Sequence, residues 1–226
     1  MTLESVLPGE NLTRAEASLR AELIKVHSYE IDLDLTTSEK TFRSKTTVKF
    51  SAKTIGSSTF IDAITAQVHS VVLNGEALDV PTVADGTRIQ LDNLQLENEL
   101  EVDADAFFMN TGEGLHRFVD PADDEVYLYT QFEVPDSRRV FAVFEQPSLK
   151  ATFKFNVTAP ARWKVVSNQA TPTPTPIEDG KAVWSFAPTP AVSSYITALI
   201  AGPYSEVRSE LTSSDGRVIP LGVFAR

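Results

Sequence analysis

Beyond about residue 24, apolar and polar residues alternate along most of this chain with a period of two, and this pattern limits the folds that the chain can adopt. Ile31, Leu33 and Leu35 alternate with acidic residues, and Phe42 and Phe50 fall on one parity of the next run. Successive side chains of a β-strand point to opposite faces, so each run predicts a strand with one buried face. The chain is therefore expected to consist mainly of strands.

Short runs of the same kind recur through the rest of the chain at close spacing. They cover residues 88–91, 99–106, 151–157, 163–167, 183–186, 195–200 and 218–224. The sequence Leu73-Asn74-Gly75-Glu76 also predicts a hairpin, because Asn-Gly tolerates the positive φ angles of a type I′ turn. Strands this short and closely spaced indicate an all-β fold, an antiparallel β-sandwich, rather than alternating βαβ units.

A single domain is predicted to span residues 1–226, with an N-terminal segment (residues 1–26) that contains one helix at about residues 13–24. The 42% hydrophobic content is ordinary for a globular core. Residues 171–176 alternate threonine with proline, which favours an extended course. This stretch is predicted to be a stiff loop that joins paired strands at 163–167 and 183–186; a linker between two domains is the alternative.

The composition excludes several classes of function. The sequence has no cysteine, so it can form neither disulfides nor a thiolate metal site, which fits a reducing cytoplasm. Its net charge is −11, and Lys and Arg cluster only at Arg138 and Arg139, which disfavours nucleic acid and anionic membranes. The N-terminus lacks a signal-peptide pattern, and no window approaches the roughly 20 apolar residues of a membrane helix. We therefore expect a cytoplasmic protein that binds neither nucleic acid nor membranes.

Residues 126–155 say more about function than the rest of the sequence. The alternation places Gln131 and Glu133 on one face of a strand that begins near residue 126. Pro135 cannot donate to a strand ladder, and Asp136 is a good helix N-cap. The polar pair is therefore expected where the strand runs out into a turn.

Three short motifs follow one another in this stretch. They are Thr130-Gln131-Phe132-Glu133, Asp136-x-Arg138-Arg139, and Phe144-Glu145-Gln146-Pro147 followed by Leu149-Lys150-Ala151. Together they resemble the signature of the N-terminal domain of the zinc aminopeptidases typified by aminopeptidase N, within the gluzincin family. The opening from Asn11 to Glu16 is similar to that of the actinobacterial members, so the resemblance spans nearly the whole chain. It implies the saddle-like β-sandwich of those enzymes.

The resemblance implies a role for each motif residue. Glu133 would bind the free amino group of a peptide substrate, and Gln131 would line the pocket for the first side chain. The other motif residues are expected to be structural: Asp136, Arg138, Arg139 and Pro147. Asp136 would cap a short helix, and the two arginines would pair with it or with Glu145.

The zinc-binding motif of the catalytic members is missing. Those enzymes need His-Glu-x-x-His on one helix and a further Glu to hold zinc. The histidines here are His27, His69 and His116; no two lie four residues apart, and none precedes a Glu. The resemblance therefore implies that a catalytic zinc domain follows residue 226 in a longer hydrolase. Peptide substrates and that domain would be the partners, and this chain alone would bind no zinc and be inactive.

Two other hypotheses stay open. One is a non-catalytic β-sandwich interaction module related to the family, in which Gln131 and Glu133 are an ordinary exposed strand edge. The other is a relative of the bifunctional leukotriene A4 hydrolases, which share this type of domain. The polar pair beside an intact Asp-x-Arg-Arg turn favours substrate anchoring over the first, and the actinobacterial-like opening argues against the second.

Overall fold

The structure, a computed structural model, describes residues 11–226. Near its start, helix α1 (Arg14–Leu23) follows the N-cap Thr13. The Thr13 hydroxyl accepts a hydrogen bond from the Glu16 backbone, and the Glu16 carboxylate accepts one from the Thr13 backbone. This reciprocal capping box satisfies two backbone donors that a helix start leaves free. The predicted N-terminal helix is confirmed.

The other elements of the described residues are mainly strands, with one further turn of α-helix and two short 3₁₀-helices. The strands are β1 (Ile24–Asp34), β2 (Thr41–Ala52), β3 (Thr59–Asp62), β4 (Gln67–Leu73), β5 (Glu76–Ala77), β6 (Arg88–Leu91), β7 (Glu97–Phe107), β8 (Gly114–Val119), β9 (Val126–Gln131), β10 (Thr152–Pro160), β11 (Lys164–Ser167), β12 (Thr175–Pro176), β13 (Lys181–Ser185), β14 (Leu199–Gly202), β15 (Ser205–Thr212) and β16 (Val218–Ala225). The turn of α-helix is α2 (Val80–Val83), the first 3₁₀-helix is Asp136–Arg139, and the second 3₁₀-helix is Ser194–Ile196.

The strands form two larger sheets and two small ones. The eight-stranded sheet has the order β12-β13-β10-β1-β2-β7-β4-β5, and the four-stranded sheet has the order β11-β14-β9-β8. Strands β15 and β16 pair with each other, as do β3 and β6. The pairings are antiparallel, as predicted, except that β1 and β10 run parallel. A parallel pair needs a crossover rather than a hairpin, and here the chain from β2 to β9 provides it.

The inward faces of both larger sheets belong to one hydrophobic cluster. Phe42, Val48 and Phe50 of β2 are fully buried, as their shared parity predicts. Tyr29 of β1 lies opposite Phe153 of β10 in the parallel pair, and the two rings stack with centroids 4.7 Å apart. The cluster thus holds the eight-stranded sheet against the strands that carry the candidate site.

Two details of the predicted strand arrangement are wrong. Residues 195–200 are not one strand, because the second 3₁₀-helix occupies their start and β14 begins only at Leu199. The Thr197 hydroxyl donates to the Ser194 carbonyl within this turn, and local side-chain bonds of this kind compete with a strand ladder. The neighbouring Ser193 hydroxyl donates to the Pro147 carbonyl.

The Thr-Pro stretch does not close a hairpin between β11 and β13. β11 pairs with β14 in the four-stranded sheet, whereas β13 pairs with β10 in the eight-stranded sheet. The stretch therefore crosses between sheets, and Thr175–Pro176 ends it as the edge strand β12. An edge position suits proline, because proline has no backbone N–H to donate to a strand ladder. By contrast, the predicted hairpin at Asn74 and Gly75 is present, with both residues at positive φ between β4 and β5.

We predict that the Glu16 carboxylate stabilises the domain only above acidic pH. Burial raises the pKa of Glu16, but hydrogen bonds from Arg88 and Thr13 outweigh burial and lower the pKa from 4.5 to about 2. Because the pKa is lower in the folded state, the stabilisation is present above pH 4.5 and is lost as the pH falls toward 2. Glu16→Gln should lower the free energy of unfolding by about 1 kcal/mol at pH 7.

Urea denaturation of both proteins between neutral and acidic pH would measure this difference. Glu22→Gln is a matched control, because Glu22 lies on the exposed side of the same helix. A Glu16→Gln effect that did not shrink with falling pH would contradict the assignment.

Candidate functional site

The candidate site lies at the end of β9, between β14 and β8 in the four-stranded sheet. Leu128 points into the core, and Tyr129 and Gln131 are exposed on the opposite face. Gly114 of β8 lies opposite Gln131 in the register of the pair. The strand ends at Gln131, so this side chain stands at the edge where the sheet gives way to a turn.

Glu133 lies in that turn and not on the strand. This corrects the prediction that strand alternation places the Glu133 side chain on the same face as Gln131. The backbone N–H of Glu133 donates to Oε1 of Gln131 at 2.6 Å. Phe132, between them, is only 3% exposed and fixes the chain to the core. The structure therefore brings Gln131 and Glu133 together at the strand end through a local hydrogen bond.

The carboxylate of Glu133 is exposed and available to a ligand. Within residues 11–226, the ion pairs on this turn involve Arg139 with Asp136 and Glu113, and none includes Glu133. An ionised carboxylate accepts hydrogen bonds only, and those from a cation are the strongest. An exposed carboxylate of this kind has the chemistry to accept hydrogen bonds from an ammonium group.

The first 3₁₀-helix follows the turn directly. Asp136 is its first residue rather than its cap: Pro135 holds the N-cap position, and no side chain caps the helix. The predicted capping role of Asp136 is therefore wrong. Its carboxylate instead pairs with Nε of Arg139 at 2.8 Å, within the same single turn. The Arg139 side chain also packs on Gly114, where an added Cβ would lie 3.0 Å from the Cβ of Arg139.

Arg138 points in another direction and is buried. Its guanidinium donates to Oδ1 of Asn11 at 2.9 Å, and its backbone N–H donates to Oε2 of Glu145 at 3.1 Å. Pro147 is exposed, and its carbonyl accepts a hydrogen bond from the Ser193 hydroxyl at 2.7 Å. These contacts join the motif to the N-terminal segment and to the second 3₁₀-helix.

Glu145 is a buried carboxylate, 4% exposed, at the centre of these contacts. Besides the Arg138 backbone, it accepts hydrogen bonds from the hydroxyl groups of Ser137 and Ser194. Burial raises the pKa of Glu145, and the three hydrogen bonds offset this only in part. The backbone N–H of Glu145 in turn donates to Asp62 at 3.0 Å.

Asp62 extends the buried polar groups toward the helix. It is 1% exposed and pairs with Nη1 of Arg20 at 2.7 Å, while Nε of Arg88 lies 3.8 Å away. Arg20 also donates to Oε1 of Gln146 at 3.2 Å. A buried network of this kind connects α1, the β3–β6 pair and the Glu145 motif behind the candidate site.

A family model described as the peptidase M1 N-terminal domain matches residues 25–196. The chain belongs to this family. An aminopeptidase N from Streptomyces lividans is 56% identical over 223 residues, which cover 97% of this chain and 25% of that protein. A leucyl aminopeptidase from Saccharolobus solfataricus is 28% identical over 194 residues, which cover 83% of this chain and 23% of that protein.

A solved structure shows the same fold. The crystal structure of Legionella pneumophila aminopeptidase A in complex with aspartic acid superposes with a TM-score of 0.79 at 16% identity, covering 91% of this M1 N-terminal domain and 24% of that chain. The predicted all-β fold is therefore confirmed. The domain spans about a quarter of the length of the curated relatives it matches.

The three histidines, His27, His69 and His116, lie on β1, β4 and β8. His116 lies on β8, where its ring stacks on Tyr129 at 4.7 Å and its Nδ1 accepts from the Gly112 backbone at 3.1 Å. In the part of the chain that the structure describes, no group of three or more His, Cys, Asp or Glu residues could hold a metal ion. No helix of the same part is long and apolar enough to span a membrane.

The network around Asp62 is the feature that sequence reasoning missed. Asp62 follows the apolar residues Phe60 and Ile61, Arg88 begins β6, and Arg20 lies on an amphipathic helix. The available signal was a charged residue at a position where the strand pattern predicts a buried side chain. The ion-pair partner Arg20 lies 42 residues from Asp62 in sequence, so the pair could not be read from spacing.

Proposed function

We propose that this M1 N-terminal domain binds the free amino group of peptide substrates in a zinc aminopeptidase. Glu133 would accept hydrogen bonds from the substrate ammonium, and Gln131 would line the pocket for the first side chain. The observation that carries the proposal is the exposed Glu133 carboxylate, unpaired within the described residues and hydrogen-bonded through its backbone to Gln131. The M1 relatives named as aminopeptidases support it.

The chemistry of the proposed step is recognition, not bond cleavage. A peptide α-amine has a pKa near 8, so much of it is cationic at neutral pH and binds a carboxylate. A hydrogen bond to a charged group in a partly desolvated site contributes about 1.5–3 kcal/mol. Fixing the amine places the first peptide carbonyl at a set distance, so only the first peptide bond would reach the catalytic centre.

Under this proposal, the catalytic centre lies in a part of the enzyme outside residues 1–226. We infer that a zinc-binding domain follows residue 226, because the relatives are about four times as long as the region they share with this chain. Zinc held there would supply the activated water. The described residues offer no group fit to hold zinc, so no zinc-dependent step is assigned to them. The cysteine-free sequence supports a cytoplasmic location, which cell fractionation would test.

The first test compares this chain with a version extended to the length of the relatives. Hydrolysis of an amino-acid anilide and bound zinc should both appear only in the extended protein. If the extended protein showed neither anilide hydrolysis nor bound zinc, the interaction-module hypothesis would be favoured. In that hypothesis, Glu133 is an ordinary surface carboxylate.

The second test concerns Glu133 in that extended protein. Glu133→Ala should raise KM and lower kcat/KM by about 10- to 100-fold, with unchanged zinc content. Binding of a competitive inhibitor that lacks the amino group should not change, because it does not use the carboxylate. Glu178→Ala is a matched control: Glu178 is an exposed glutamate in the loop between β12 and β13. Wild-type KM in Glu133→Ala would refute the assignment.

A further inference from the structure

Glu145 contacts both of the segments that flank the proposed amine-binding site. Its Oε2 accepts hydrogen bonds from the hydroxyl of Ser137 and the backbone N–H of Arg138, both in the first 3₁₀-helix. Its Oε1 accepts one from the hydroxyl of Ser194, which begins the second 3₁₀-helix. One buried carboxylate therefore connects two helices that are more than 50 residues apart in sequence.

Both helices lead directly to the strand end that carries the site. The first 3₁₀-helix starts three residues after Glu133, and the Asp136 N–H at its start donates to the Phe132 carbonyl at 3.1 Å. The second leads into β14, whose Leu199 N–H donates to Oγ1 of Thr130 on β9 at 2.8 Å. The segment from Thr130 to Asp136 is thus held from both sides.

We propose that Glu145 is a positioning residue for the site, which fixes the direction of the Glu133 carboxylate relative to Gln131 by joining the two 3₁₀-helices. This inference rests on the proposed role of Glu133 as the amine-binding residue. Within residues 11–226, the hydrogen bond of the turn at residues 133–135 is a local one, from the Glu133 N–H to Gln131, so the conformation of the turn depends on the ends that Glu145 holds. A pre-ordered turn pays no ordering cost when substrate binds.

The burial of Glu145 supports a specific role beyond filling space. Burying a carboxylate is costly unless hydrogen bonds compensate, and an apolar side chain would fill the same volume without that cost. The three donors come from the backbone and hydroxyl groups of the two helices, not from a cation. The geometry therefore favours orientation of these helices over simple charge neutralisation.

The experiment removes the serine donors and leaves the carboxylate, because Glu145→Ala would leave buried donors without an acceptor and can prevent folding. In the extended protein, Ser137→Ala combined with Ser194→Ala should raise KM for amine-bearing substrates by about tenfold and change kcat little. Ser193→Ala is the matched control. Ser193 is also buried, but its hydroxyl donates to Pro147 and not to Glu145. This control should leave KM unchanged.

A second measurement does not depend on catalysis. Hydrogen exchange of the peptides that cover residues 131–140 should be about tenfold faster in the double serine variant than in Ser193→Ala. Equal KM and equal exchange in these two variants would overturn the positioning role. If Glu133→Ala itself left KM unchanged, the proposed function would fail and the positioning role with it, even if exchange increased. A KM effect of Glu133→Ala without one in the double variant would refute the positioning role alone.

Discussion

Asp62→Ala is expected to destabilise the domain strongly, because it leaves the buried guanidinium group of Arg20 without a carboxylate. Asp62 is 1% exposed and lies 2.7 Å from the buried Arg20, whereas Arg88, 3.8 Å away, keeps its pair with Glu16 at 2.6 Å. Removing one partner of a buried ion pair costs about 3–5 kcal/mol, since the charge that stays behind is uncompensated. The backbone N–H of Glu145 would also lose its acceptor. Domains of this size have a total stability of about 5–15 kcal/mol, so the loss is large.

Chemical denaturation of the two proteins would measure the loss of unfolding free energy. Asp103→Ala is the matched control, because Asp103 also pairs with an arginine, Arg43 at 2.6 Å, but on a partly exposed face of the eight-stranded sheet. Exposed pairs contribute at most about 1 kcal/mol. Similar small losses in the two variants would show that the buried network contributes no more than a surface pair.

Phe141→Ala is the second change with a large expected effect. Phe141 is 2% exposed, and its ring lies 6.0 Å from that of Phe132 and 5.8 Å from that of Phe155. Truncating a buried phenylalanine costs about 3–5 kcal/mol, because the transfer free energy is lost and a cavity remains. Phe132 lies between Gln131 and Glu133, so the cavity also removes the support of the candidate site.

Thermal unfolding and anilide kinetics of the extended protein would separate these two consequences. Phe141→Leu keeps most of the volume and should cost less than Phe141→Ala in both measurements. Phe107→Ala is a control for the loss of a phenyl ring, since Phe107 is 47% exposed at the end of β7. Equal destabilisation by Phe141→Ala and Phe107→Ala would contradict the packing argument.

The sequence predicted strands well where one face of a strand is buried. The alternation from Ile31 to Leu35 and the shared parity of Phe42 and Phe50 match the buried face of β1 and β2, because burial of one face selects that pattern. It failed at residues 195–200. There the Thr197 hydroxyl donates locally to the Ser194 carbonyl, and the Ser194 hydroxyl donates to Glu145, 49 residues away in sequence. A pattern of apolar and polar residues shows neither bond, so it did not reveal the 3₁₀-helix.

The candidate site was predicted in part. The motifs located Gln131 and Glu133, but alternation could not reveal that β9 ends at Gln131 or that a side-chain hydrogen bond orients the turn. The contacts behind the site depend on tertiary structure: Arg20 bonds to Gln146 across 126 residues of sequence. Periodicity carries no information on such distant pairs.

The parallel pairing of β1 with β10 has a consequence for synthesis of the protein. Glu30 and Lys154 are register partners separated by 124 residues, so β1 cannot complete its ladder until β10 has left the ribosome. Contacts of such long range slow folding, because a large loop must close before they form. Until then, the edge of β1 and its apolar face at Ile31 and Leu33 are open to other chains. A nascent chain that stalls before residue 152 would therefore expose both the unpaired edge of β1 and its apolar face to other chains.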